Sequence, residues 1–341
     1  MSHDTLAIIW FALWGVLWAV YFILESYTSG TGMLFSFIAK DRQERNQLQE
    51  TVGPFWGGNE VWLITAGGAT FAAFPITYAN MFSWLYTPLM LILFALFFRA
   101  TGLEFMHKDD NPKWQASWKW AYNISSFLIP LLFGVAFANL YYGLQVTENG
   151  YEGTLLSLLH PYGLLGGVLF VALSLLSGSL WVSLKNSGPV AERAKRLITY
   201  FWVISVAVLA IFFVATNNRT PLLDKFADYP VLWVFPVLTL VLLVLVKPFA
   251  SKGKFGWAWI FTALSFLMLM ATGFIGMFPN MLPTIDPQYS VNLFDARGSA
   301  KNLQIMFIVA LIFVPIVIAY QTWAHWLFRK KIDKDEAKGY H

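Results

Sequence analysis

The chain of 341 residues contains no cysteine, which rules out disulfides, thiolate metal sites and a cysteine nucleophile. Charge is scarce as well. Asp, Glu, Lys and Arg make up 12% of the residues, about half the roughly 25% of a soluble globular chain. There are five histidines, and the sequence places none at mid-membrane depth. His160 and His325 lie near the ends of apolar runs, and His3, His107 and His341 lie in tails or a loop. A haem iron takes axial His, Met, Cys or Tyr from inside the protein, so the chain is expected to bind no haem, and its ten Met read as packing residues. No phosphate-cradling loop, zinc-ligand spacing or nucleophile elbow occurs. No low-complexity stretch or soluble segment divides the chain, so residues 1–341 read as one membrane domain.

What is present is apolar. Hydrophobic residues make up 57% of the chain and fall in continuous runs such as Leu6 to Leu24, Val231 to Val246 and Met306 to Ile318. About 20 such residues cross roughly 30 Å of hydrocarbon as a helix. An outer-membrane barrel would instead show alternating segments. The fold class is therefore all-α, a polytopic integral membrane protein with nine transmembrane spans near 6–25, 60–79, 82–98, 121–143, 160–184, 197–216, 230–246, 257–279 and 303–328. Met1 to Thr5 carry no Lys or Arg and no small-residue cleavage site ends the first run, so that run reads as a retained span and not a signal peptide.

The basic residues support this count. Lys40, Arg42 and Arg45 occupy the first loop, Arg99, Lys108, Lys113 and Lys119 the third, and Lys185, Arg193, Lys195 and Arg196 the fifth. Lys247, Lys252 and Lys254 occupy the seventh loop, and Arg329, Lys330, Lys331, Lys334 and Lys338 the tail. The second and fourth loops have none, and the sixth and eighth have Arg219, Lys225, Arg297 and Lys301. Nineteen of the 23 basic residues thus fall in alternate connections, the excess expected on the cytoplasmic side. This predicts an outside N-terminus and a cytoplasmic C-terminus, and it explains the net charge of +4 without a nucleic-acid partner.

Ionisable residues within apolar spans are costly, so each is a candidate site. Glu25 ends the first predicted span, Glu60 begins the second, and Arg99 with Glu104 ends the third, which gathers them near the cytoplasmic face as a proton or ion entrance. Glu60 follows Asn59, a good N-cap, and Arg99 at a helix C-terminus can snorkel to the interface. Glu25 is expected to be opposed by the dipole of a helix ending there. Ala66, Gly67, Gly68, Ala69, Ala72 and Ala73 read as a helix-packing face. Trp10, Trp14 and Trp18 stripe one side of the first span and are expected to face lipid or a neighbouring helix.

One block is specific. Trp56-Gly57-Gly58-Asn59-Glu60-Val61-Trp62-Leu63-Ile64-Thr65-Ala66-Gly67-Gly68-Ala69, continuing through Phe71 to Pro75 and to Tyr78-Ala79, closely resembles the signature of subunit II of cytochrome bd-type quinol oxidases. Gly30 to Leu34, Phe97 to Arg99, Gly134 to Leu140, His160 to Leu164 and Gly276 to Pro279 extend the resemblance over most of the chain. It implies a bacterial or archaeal cytoplasmic-membrane complex. In it a haem-bearing subunit I carries two b-type haems, one d-type haem (or a b-type in its place) and the quinol site. This chain would be its haem-free partner, in contact with lipid and quinone, with room for a small single-helix accessory subunit. The family attaches proton-path roles to acids in an Asp-Gly-Phe-Asp and a Trp-Asp-Gly-Asn motif. Here the first reads Glu25-Ser26-Tyr27-Thr28, and Gly57 holds the acidic place of the second. Only Glu25 keeps a carboxylate of the two motifs, so a proton route is expected either to be rebuilt around Glu25, Thr28, Glu60 and Glu104 or to be supplied by subunit I alone, and Trp56, Asn59, Trp62 and Arg99 are motif residues with structural roles. A proton-coupled secondary transporter is the alternative reading, and a purely structural scaffold a third.

Overall fold

The computed structural model of the chain describes residues 1–335 and 337; Lys338 and His341, assigned above to the tail, lie outside them. Helix α1 runs His3–Ile38, α2 Arg42–Ala73, α3 Pro75–Trp84, α4 Tyr86–Phe105, α5 Pro112–Tyr142, α6 Pro161–Lys185 and α7 Gly188–Arg219. The short α8 (Asp224–Asp228) leads to α9 (Val234–Ser251) and α10 (Phe255–Met277), and the short α11 (Leu293–Ala296) precedes α12 (Ala300–Leu327). Two small antiparallel pairs, Val146–Thr147 with Gly150–Tyr151 and Asn280–Leu282 with Val291–Asn292, ornament one end. Among the described residues eight helices are each long and apolar enough to cross a membrane, and α2 with α3, bent by 120°, makes a ninth when taken as one span.

The predicted spans overlap these helices, and the fifth matches within a residue, but the first three are misjudged: the loop expected near Asn80 lies inside α3, so the second and third spans run across the breaks at Phe74 and Leu85. The first, drawn as 6–25, continues thirteen residues to Ile38, and the second begins at Arg42 instead of 60. Both extensions are held by specific contacts. The Asp41 side chain accepts from Glu44 N at 2.9 Å and caps α2. Gly30 of α1 meets Gly178 of α6 so closely that a Cβ on either would overlap the other's backbone, a close approach that only small residues permit.

Helix α1 is the hub, packed against α2, α5, α6, α10 and α12. The Trp stripe lies inside, facing helices and not lipid. Trp10 Nε1 donates to Leu303 O at 3.0 Å, Trp14 Nε1 donates to Thr70 Oγ1 at 2.7 Å, and Trp18 packs edge-on against Phe133 and Phe137. Trp10 and Trp14 thereby give their buried indole N–H groups acceptors. At the rim, α7, α9 and α12 turn most of their apolar surface outward.

The chain's two ends are told apart by their contacts. Arg42 pairs with Asp110, Arg193 with Glu44, and Lys334 with Asp41, while Ile332 N donates to Lys185 O. The tail therefore lies across the α1–α2 and α6–α7 junctions, and the Lys334 ammonium holds the Asp41 carboxyl below its ordinary range. At the opposite end Arg297 pairs with Asp4, and Gly298 N donates to Ala73 O at 2.7 Å. The junctions rich in Lys and Arg thus gather at one end, as alternate crossings require.

Candidate functional site

Three charged side chains from three helices meet inside this bundle. Arg99 of α4 donates through Nη1 to Glu25 Oε1 of α1 and through Nη2 to Glu60 Oε1 of α2. Arg99 is 2% exposed and Glu25 3%, whereas Glu60 keeps 22%. The planar guanidinium suits two carboxylates at once, as a lysine ammonium does not. Ser29, one turn beyond Glu25 on the same face of α1, also donates to Glu25 Oε1. Charge counting gives the chemistry: two ionised carboxylates on one guanidinium leave one negative charge in a low-dielectric interior.

Beside the triad lies a second, uncharged network. Asn59, adjacent to Glu60 but turned toward α1, donates through Nδ2 to Leu24 O (3.3 Å), Tyr27 Oη (2.7 Å) and Thr28 Oγ1 (3.1 Å). Tyr27 stacks on Trp181 with centroids 4.3 Å apart. His325 Nδ1 faces Gln321 O at 2.8 Å; a carbonyl only accepts, so the proton sits on Nδ1 and Nε2 receives the Tyr27 hydroxyl at 3.3 Å. Gln321 in turn donates to Gly58 O at 2.8 Å and accepts from Trp62 Nε1 at 2.8 Å. These bonds tie the end of α12 to α1 and α2.

The geometry corrects three expectations. Glu25 is not at a helix end, since α1 runs on to Ile38, and no helix dipole opposes it. Asn59 is no N-cap and Glu60 begins no helix; both lie deep within α2. Arg99 does not snorkel, because its guanidinium is sealed between the two carboxylates. Of the expected residues, Glu25, Thr28, Asn59, Glu60 and Arg99 come together, and Trp62 joins through Gln321. Trp56 packs on an apolar cluster that includes Leu34, Phe35, Leu48, Val52 and Leu103. Glu104 stands apart, half-buried and joined to neither Glu25, Glu60 nor Arg99. Ser29, Gln321 and His325 were not expected. Ser29 carried a signal in its four-residue spacing from Glu25; the other two depend on contacts across the bundle.

A family model described as cytochrome bd terminal oxidase subunit II matches residues 6–328. The chain belongs to this family. Among its subunit II relatives, the cytochrome bd-I ubiquinol oxidase subunit 2 of Escherichia coli K12 is 31% identical, over 98% of this chain and 97% of that protein. The cytochrome bd ubiquinol oxidase subunit 2 of Bacillus subtilis 168 is 32% identical over 99% of both chains. The solved bd oxidase of Geobacillus thermodenitrificans includes a chain of the same fold, with TM-score 0.74 and 18% identity, covering 96% of this chain and all of that one. The triad is therefore a feature of a subunit II bundle.

Proposed function

We propose that the chain is the haem-free second subunit of a bacterial quinol oxidase, and that Glu25, Arg99 and Glu60 pass cytoplasmic protons toward the oxygen-reducing site on a haem-bearing subunit I. Reduction of oxygen to water consumes one proton for each electron, so a buried site that exchanges single protons serves that chemistry. The observation that carries the reading is the asymmetry of the triad: Glu25 is sealed in the bundle, whereas Glu60 is partly open. Glu60 opens beside an apolar face on which Val61, Ile64 and Phe71 are exposed and a Cβ on Gly57, Gly67 or Gly68 would meet nothing within 4 Å. The small residues thus leave outward room, and they do so for a neighbouring helix of subunit I. Gly57, at the family's acidic place, is one turn from Glu60 on this face, so the carboxylate is kept and moved by a turn. Thr28 and Asn59 hold the α1–α2 contact behind it.

Haem and quinol chemistry belong, in this reading, to subunit I, with two b-type haems and a d-type or third b-type haem. Both ring nitrogens of His325 are engaged, as are those of His160, which caps α6 through Nδ1 and meets Asn139 Oδ1 at 3.1 Å through Nε2. An affinity tag on this chain is expected to bring down a haem-bearing chain, whereas the chain expressed alone gives no Soret band. A Soret band from the isolated chain, or a purified single chain that moves solute by itself, would refute the assignment in favour of a haem protein or a carrier.

The relatives named above are bacterial, which supports the bacterial cytoplasmic membrane. The end bearing the basic junctions is the cytoplasmic one by charge asymmetry, so the N-terminus lies outside. Reporters fused after Asp110 and Gly188 are expected in the cytoplasm and one after Gly150 outside. An external Gly188 reporter would invert the topology.

A further inference from the structure

Helices α5 and α7 both pack on α6 but barely meet each other, and between them, toward the end of the bundle that carries the basic junctions, an apolar groove is left open. Leu34 of α1 and Leu175 of α6 line its floor, Trp120 and Ile124 of α5 one wall, and Leu197 and Phe201 of α7 the other, around a space of about 610 Å³. Asn123 also faces it, but its amide is fully engaged: Nδ2 donates to Gly32 O at 2.8 Å and Met33 O at 3.1 Å, and Oδ1 accepts from the Ser36 hydroxyl. The interior of the groove therefore suits an apolar chain and offers nothing to a polar head.

Its mouth is cationic. Phe37 lines the groove where α1 ends, and the exposed Lys40 follows three residues later. The exposed Arg196 immediately precedes Leu197 at the start of α7, and Lys119 Nζ lies 5.7 Å from the centre of the Trp120 ring. Neighbouring carboxylates are held by other cations: Asp110 by Arg42, Glu44 by Arg193, Glu192 by Lys195 and Asp41 by Lys334. Lys40, Lys119 and Arg196 form no ion pair among the described residues. Trp120 is half exposed beside them, and tryptophan favours the headgroup level of a bilayer, which sets the mouth at that depth.

In a bilayer an apolar groove selects nothing by itself, because lipid tails are as apolar as its lining. Selection has to come from the mouth, where unpaired cations favour an anionic head. A quinone brings an uncharged head that needs hydrogen-bond donors, and the groove provides none inside. We propose that this groove binds an anionic phospholipid, with one acyl chain between α5 and α7 and the phosphate-bearing head on Lys40, Lys119 and Arg196. Basic pockets between membrane helices recognise such heads. The site lies on a different face of α1 from the contacts with α2 and α12, and it does not depend on the proton-passing reading of the triad.

The test places the assembled complex in nanodiscs with a phosphatidylglycerol whose acyl chain carries a diazirine, and maps the photolabel by peptide mass spectrometry. Label is expected around Ile124 and Phe201. Unlabelled phosphatidylglycerol is expected to displace it at a mole fraction roughly a hundredfold lower than phosphatidylcholine, because each of three Lys or Arg near the surface favours an anionic lipid about fivefold. Lys40→Gln, Lys119→Gln and Arg196→Gln together are expected to bring the two lipids to parity. Raising salt from about 0.1 M to about 1 M, which shortens the screening length from about 10 Å to about 3 Å, is expected to erode the wild-type preference. Equal displacement by both lipids in the wild-type complex overturns the proposal and makes the groove ordinary lipid-facing surface. Displacement by a neutral quinone in preference to phosphatidylglycerol, or a copurified small polypeptide crosslinked in the groove, overturns it as well. Should the triple variant not assemble, the salt series on the wild-type complex decides, and a preference indifferent to salt overturns the proposal.

Discussion

Glu25→Gln is expected to yield a complex with full haem content whose oxygen consumption per haem falls by roughly a hundredfold, the low end of what a positioned proton donor or acceptor contributes. The amide keeps an oxygen at the Oε1 position, so Arg99 and Ser29 retain their acceptor. It cannot carry a proton. The substitution also removes the surplus negative charge of the triad, leaving Arg99 paired one to one with Glu60, so assembly is not weakened. Glu25→Asp keeps the charge but is a methylene shorter. It cannot reach Arg99 and Ser29 together from the same backbone, and it retains part of the rate. The measurement is quinol-driven oxygen uptake across pH, with assembly checked by visible spectrum. Full turnover in Glu25→Gln would reduce the subunit to a scaffold.

Arg99→Leu is expected to be the most damaging single change to folding, costing about 3–5 kcal/mol, as for a buried ion pair that loses one partner. Glu25 and Glu60 would then face each other with no cation between them. Arg99→Lys recovers only part, because one ammonium cannot present two parallel donors to two carboxylates. Adding Glu25→Gln and Glu60→Gln to Arg99→Leu restores much of the loss, since no buried charge remains unpaired. Thermal inactivation and the yield of assembled complex report these differences. Wild-type stability in Arg99→Leu alone would show that the carboxylates are solvated and the triad is not a buried unit.

The sequence showed the bundle clearly and the site only in part, for reasons visible in particular residues. Helix α6 was legible because Pro161 stands at its first position after His160, and Asn186 to Pro189 stop it. The long α1 was not, because Ser26 to Gly32 are polar and glycine-containing and reads as a loop until Gly178 is known to lie against Gly30. The start of α2 did carry a signal, Asp41 three residues before Glu44, but hydropathy drew attention to residue 60. Glu25, Glu60 and Arg99 were singled out one by one as charges in apolar surroundings. That they form one unit was not legible, because Arg99 meets partners 74 and 39 residues away and nothing local encodes such a pairing.

The central place of α1 sets synthesis against burial. Helix α1 leaves the ribosome well before the elements that enclose it, α6 from residue 161, α10 from 255 and α12 from 300. Its Glu25 enters the membrane before the guanidinium that neutralises it exists, and Trp10 waits for a carbonyl 293 residues downstream. During biogenesis the nascent α1 is therefore an acidic, unfinished surface that the insertion machinery must shelter until the rest of the chain closes around it.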